Sequence, residues 1–187
     1  MAKKIVVLTL LVTGLLLTGC ISTSSLVVVS PLPTPTAVAG TNIPFETILH
    51  EDHSGYRVAE PLLLLIDDPD SATPMLDMIG PNIVPDRQAQ VVSYVQDLLH
   101  TPSSLVVLFR GDWPSSGYEV TIDRLVKQGN DLHVYAQFWE PGPVYPVTPA
   151  GTSSFHIVKL LQPIGSTDGL QLVLHSYPMI HHTPPAK

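Results

Sequence analysis

The chain has 187 residues, with nine Lys or Arg against sixteen Asp or Glu and a formal charge of −7. An acidic balance argues against nucleic acid and anionic lipid surfaces as partners. A single cysteine excludes an internal disulfide. No GxSxG elbow, glycine-rich phosphate loop or HExxH pair occurs, so the sequence predicts neither an enzyme nor a cofactor.

Residues 1–19 read as a secretory leader. Lys3 and Lys4 form a short positive start, and Ile5–Leu17 is an apolar run too short to span a bilayer comfortably. The run ends in Leu17-Thr18-Gly19-Cys20, which resembles the bacterial lipobox. Leu17 suits an apolar peptidase subsite, and small Thr18 and Gly19 let the backbone approach. Cys20 offers the thiol for a diacylglyceryl thioether. The resemblance implies lipidation at Cys20, cleavage before it, and anchoring to a membrane on the extracytoplasmic face. Losing Lys3 and Lys4 with the leader takes the formal charge from −7 to −9.

Residues 20–41 carry the lipid and a Ser/Thr/Pro-rich linker. Ser30–Thr41 is expected to be extended and partly polyproline. One domain is expected over residues 42–178, with a frayed tail at 179–187. Pro44–His50 reads as a first strand, His53–Tyr56 as a turn, and Pro61–Ile66 as a continuously apolar, buried strand. Asp67–Pro74 carries helix-start chemistry with Asp68 or Ser71 as cap, and Met75–Ile79 completes a short helix. Asp86–Leu99 has Val91, Val92, Val95, Leu98 and Leu99 at helical spacing, with Asp86 as the expected N-cap.

From Ser104 onward the period changes. Leu105–Phe109 is a buried strand and Arg110–Gly117 a loop. Tyr118–Val126 alternates, Tyr118, Val120 and Ile122 sharing one face. Gln128–Asp131 is a hairpin turn, and Leu132–Trp139 returns with Leu132, Val134, Ala136 and Phe138 on one face. Glu140–Gly151 is a proline-rich loop, Ser154–Leu161 another strand and Leu170–His175 the last. The expected class is α+β: a mainly antiparallel sheet with one or two helices packed on it.

The segment Val106–Leu161, with the pieces LVVLFRG, DWPSSGYEVTI, DRLVKQGNDLHVYAQFWEP and SSFHIVKL, resembles the PrcB C-terminal domain family. Upstream, FETILHEDHSG with the apolar strand after it looks like the start of such domains. The resemblance therefore covers most of the chain beyond Asn42 and implies a PrcB-like domain over residues 42–178. That family is named for a subunit that stabilises a secreted bacterial protease complex. The resemblance implies a non-enzymatic interaction module whose partner is a secreted or surface protease. Two departures stand out. Ser115-Ser116 replaces the usual Thr-Gly, and Ser154 stands where a proline often precedes the last motif strand.

The candidate binding residues are Trp113, Pro114, Ser115, Ser116, Gly117 and Tyr118, joined by Tyr145 of the proline-rich loop. Aromatic anchors are common at interface hot spots, and prolines cut the entropy a loop loses on binding. Trp113 equally suits a cap on the core, and Tyr118 suits its edge. The loop also resembles, more faintly, the Asn-Pro-Thr-Thr-Gly-Tyr loop of chagasin-like cysteine-protease inhibitors, which makes inhibition the second reading. The histidine pairs His50/His53 and His181/His182 lack metal-ligand spacing and read as surface residues. The run Asp67–Asp70 lacks the order of a calcium loop.

Overall fold

The computed structural model describes residues 39–80, 83–97, 101 and 103–181. Cys20, the leader and most of the linker lie outside the described residues, as do Leu98, Leu99 and the tail from His182. In chain order the elements are β1 (Thr41–Asn42), β2 (Phe45–Glu51), β3 (Leu62–Ile66), a 3₁₀ turn (Asp70–Ala72), α1 (Thr73–Ile79) and α2 (Pro85–Asp97). They continue with β4 (Leu105–Phe109), β5 (Glu119–Gln128), β6 (Asp131–Pro141), β7 (Phe155–Leu160) and β8 (Gln171–His181). Among the described residues no helix is long and apolar enough to cross a membrane.

The α+β class holds, with the strands divided between two four-stranded sheets. One has the order β1-β5-β6-β8, the other β2-β7-β4-β3. All pairings are antiparallel except that of β6 with β8. Strand β4 explains the layering. Leu105, Val107 and Phe109 pack with Met75, Ile79, Val91 and Val95 of the helices. Val106 and Leu108 pack with Val120, Ile122, Leu132 and Val134 of the other sheet. A strand covered on both faces reads as an unbroken apolar run, which is why LVVLF shows no alternation. The layers are therefore helices, the β4 sheet, then the β6 sheet.

Strand β3 departs from expectation. Its four leucines are only half-buried, because it is an edge strand paired to β4 alone. Neither Asp68 nor Ser71 caps the short helix, whose N-cap position is Ala72. Asp68 Oδ1 instead accepts the Ser71 N–H at 2.9 Å at the 3₁₀ turn that precedes it. That bond and others hold the exposed carboxylate below its ordinary pKa. Asp86 is a first-turn residue of α2, since Pro85 opens that helix. Strand β8 runs on to His181, six residues past its expected end.

Two polar side chains join the sheets. On the inner face of β7, Ser154 Oγ accepts the Val120 N–H at 3.0 Å and His156 Nδ1 accepts the Ile122 N–H at 2.9 Å. They satisfy donors on β5 where it lacks a strand neighbour. The His156 Nε2 atom bonds Thr47 Oγ1 at 2.9 Å. Ser154 thus makes a bond that a proline at this position could not accept.

Candidate functional site

The ends of β2, β4, β6 and β8 and the starts of β3, β5 and β7 meet at one end of the two sheets. The candidate loops close that end. Their keystone is a residue the sequence reading left in a loop. Arg110 is 1% exposed, and its Nη1 donates to the carbonyls of Glu119 at 2.7 Å and Trp139 at 2.5 Å. Nη2 lies 3.4 Å from Glu140 Oε1. The guanidinium carbon sits 5.1–5.2 Å from the ring centres of Trp113, Tyr118 and Phe138. A guanidinium keeps its charge here because carbonyls and ring faces replace its water. Burial pulls its pKa down, opposed chiefly by the nearby Glu140 carboxylate.

The loop 111–118 turns on two glycines with positive φ, Gly111 at 111° and Gly117 at 89°. Ser116 carries no positive φ and is unstrained, so the replacement of a family glycine there costs no backbone conformation. Its N–H donates to Thr148 O at 3.1 Å, and its Oγ accepts the Thr148 N–H at 2.8 Å. Trp113 and Thr152 exchange two backbone bonds of 2.8 and 2.9 Å, and Thr152 Oγ1 donates to the Ser115 carbonyl at 2.9 Å. The two candidate loops therefore form one stitched surface. On the other side the Asp112 N–H donates to Val58 O at 2.9 Å. Ser153 Oγ donates to Tyr56 O and sits 2.7 Å from Ser54 Oγ.

The aromatic residues line up across this end. Trp113 stacks on Tyr118, with centroids 4.5 Å apart. Tyr145 stacks on His181 at 4.7 Å, and His181 on Trp139 at 4.9 Å. His181 Nε2 lies 3.5 Å from Glu119 Oε1. The structure brings Trp113–Tyr118 and Tyr145 to the same end of the domain. It adds Arg110, Trp139, Thr152 and His181, which the sequence does not single out as members of this site. No local signal marks Arg110 as buried, since a charged residue directly after an apolar strand is usually solvated. The outward surface is the proline-rich tip, where Pro114, Pro146 and Pro149 are exposed and Val144 and Val147 are 75% and 48% exposed. Of the metal candidates, His50 lies against the His156 ring at 5.1 Å, and no group of three His, Cys, Asp or Glu among the described residues is placed to hold an ion.

The architecture defines a two-sheet α+β domain with one end closed by a rigid, aromatic-filled pair of loops. Residues 104–160 match the family model described as PrcB C-terminal. That segment, from β4 through β7, belongs to the PrcB C-terminal family and contains Arg110, both stitched loops, Ser154 and His156. No curated protein matches the chain, and no solved structure does.

Proposed function

We propose that this protein is an extracytoplasmic lipoprotein, anchored through lipid on Cys20, that works by protein–protein contact and stabilises a secreted or surface protease. The observation that carries the reading is the closed loop end. Its framework is fixed by Arg110 and the ladder between residues 113–116 and 148–152, while it presents Val144 and Val147 to solvent. A rigid apolar tip binds with little ordering cost. Three open concavities of the described residues lie elsewhere, two beside Ser103 and Pro163 and one at the β1–β2 corner. That placement suits a docking surface better than a substrate cleft. Membership of the 104–160 segment in the PrcB C-terminal family supports a protease as the partner class.

Inhibition by loop insertion is the weaker reading, because the Trp113 ring is turned back onto Tyr118 and Arg110 rather than outward.

The test is a photo-crosslinker carried at Val147 in the full chain, in its own envelope, with one at Gln162 as the far-end control. Capture of an extracytoplasmic protease from Val147 alone, and a shorter lifetime of that protease when the tip carries Val147→Glu, is the expected result. Equal capture from both positions, or a protease lifetime indifferent to the chain's deletion, removes the proposal.

A further inference from the structure

Strand β8 is the edge of its sheet and is held by its parallel pairing with β6. On the outer face of these two strands, His133 Nδ1 and His175 Nε2 lie 2.9 Å apart. A hydrogen bond between two ring nitrogens needs one N–H and one lone pair, so at least one of the rings is neutral while it exists. His133 is 7% exposed, and its Nε2 has no hydrogen-bond partner among the described residues.

Among the described residues no carboxylate is bonded to either ring. The His175 ring stacks on Tyr135 with centroids 4.6 Å apart, and the Arg124 guanidinium of β5 lies 4.0 Å from the Tyr135 ring centre. Among the described residues, the titratable and charged groups facing His175 are His133 and Tyr135 of β6 and Arg124 of β5. The nearby carboxylate, Asp123, accepts the Tyr177 hydroxyl instead. Strand β3, which also contacts β8, is Leu62–Ile66 and carries no charge. Burial, His133 and Arg124 all oppose a charged His175.

We propose that the His133–His175 pair is an acid-sensitive clasp that fastens β8 to β6. Protonating both rings removes the only acceptor of the bond and sets two cations in contact beside the Arg124 guanidinium. The edge strand then loses part of its hold on the outer face. At the end of the same strand, His181 is stacked between Trp139 and Tyr145, so loosening β8 also loosens the proline-rich loop. That last consequence bears on partner binding only if the loop end is the docking surface proposed above; the clasp itself does not depend on it.

Hydrogen exchange on the full chain tests the clasp without any partner. Amides of Val173, His175 and Tyr177 report β8, and those of Val106 and Val107 report the central strand β4. Between roughly pH 7.5 and pH 5, after correction for intrinsic exchange, β8 protection is expected to fall about tenfold more than β4 protection. In His175→Gln the side-chain amide can bond either form of His133, and the two strands are expected to fall in step. His133→Gln repeats the test should the first variant not fold. Equal falls on β8 and β4 in the unaltered chain overturn the proposal, as does an extra β8 fall that persists in the glutamine variants. Failure of the Val147 crosslink leaves this result intact, so the two proposals fail separately.

Discussion

The indole of Trp113 lies nearly parallel to the phenol ring of Tyr118, 4.5 Å between centroids and 12° between planes, and the Arg110 guanidinium faces both rings. A side chain so placed belongs to the framework of the loop end. Trp113→Ala is therefore expected to destabilise the domain by about 2 kcal/mol, below the cost of emptying a fully buried aromatic site because Trp113 is only half-buried. Trp113→Phe keeps a ring face on Tyr118 and discards an indole N–H that has no acceptor among the described residues. Its cost is expected at about 1 kcal/mol or less. Urea midpoints for the two variants decide the matter. A Trp113→Ala midpoint equal to that of the unaltered chain would show the ring to be a free binding anchor.

Arg110 holds the carbonyls of Glu119 and Trp139 from the start of β5 and the end of β6. Arg110→Met fills much of the same volume but strands both carbonyls and leaves the three rings without their cation. The expected loss is roughly 3 kcal/mol. Arg110→Lys recovers only part of it. An ammonium can donate to both carbonyls, as Nη1 alone does here, but it has no planar face for the three rings and no second nitrogen for Glu140. A thermal melt in which Lys restores full stability would refute the stacked, planar role.

Much of this architecture was legible because local patterns dictated it. The alternation of Tyr118–Val126 and the pattern Leu132, Val134, Ala136, Phe138 mark the β5–β6 hairpin, which pairs from Glu119↔Trp139 to Gln128↔Asp131. Partner choice was not legible. Nothing in QLVLHSYPMIH says that this strand runs parallel to β6 across a long connection, or that it continues past His175 through Pro178. Gln171 donates its N–H to Asn130, so even-numbered residues of β8 aim their backbone away from β6. Pro178 therefore removes a donor only from the free edge, where proline is tolerated. Arg110 was missed for a related reason. A charged residue after a strand is usually solvated, and only the convergence of Trp113, Tyr118 and Phe138 from distant segments makes a buried site for it. The split into two sheets showed faintly in LVVLF, whose lack of alternation is the mark of a middle layer.

The two left-handed glycines of the loop differ in what surrounds them. A Cβ on Gly111 would lie 2.3 Å from the Ala59 carbonyl oxygen, a backbone atom of the segment that bonds Asp112. A Cβ on Gly117 would meet the Tyr145 ring at 3.1 Å, a side chain able to shift. Gly111→Ala is accordingly expected to cost about 3 kcal/mol or more, and Gly117→Ala about 1–2 kcal/mol. The Gly117 variant should also displace Tyr145 from His181, seen as a change in the His181 ring proton shifts. Equal costs for the two, or an unmoved His181 signal, would contradict this account of the loop.

The bond from the Ile122 N–H to His156 Nδ1 requires a neutral imidazole, with its proton on Nε2 toward Thr47. Burial, helped by the nearby His50, lowers the His156 pKa from 6.5 to about 4. The folded state therefore binds this proton less readily than the unfolded chain. The stability tied to His156 is fully present above about pH 6.5, declines as the pH falls, and is gone below about pH 4. A displacement of that size corresponds to about 3 kcal/mol at neutral pH relative to strong acid. His156→Gln removes the titration and leaves an amide oxygen to accept the Ile122 N–H, so its stability should be lower at neutral pH but nearly flat from pH 6.5 to 4. Chemical denaturation across that window, compared between the two chains, is the measurement. An equally steep acid decline in the glutamine variant would assign the pH dependence to other groups.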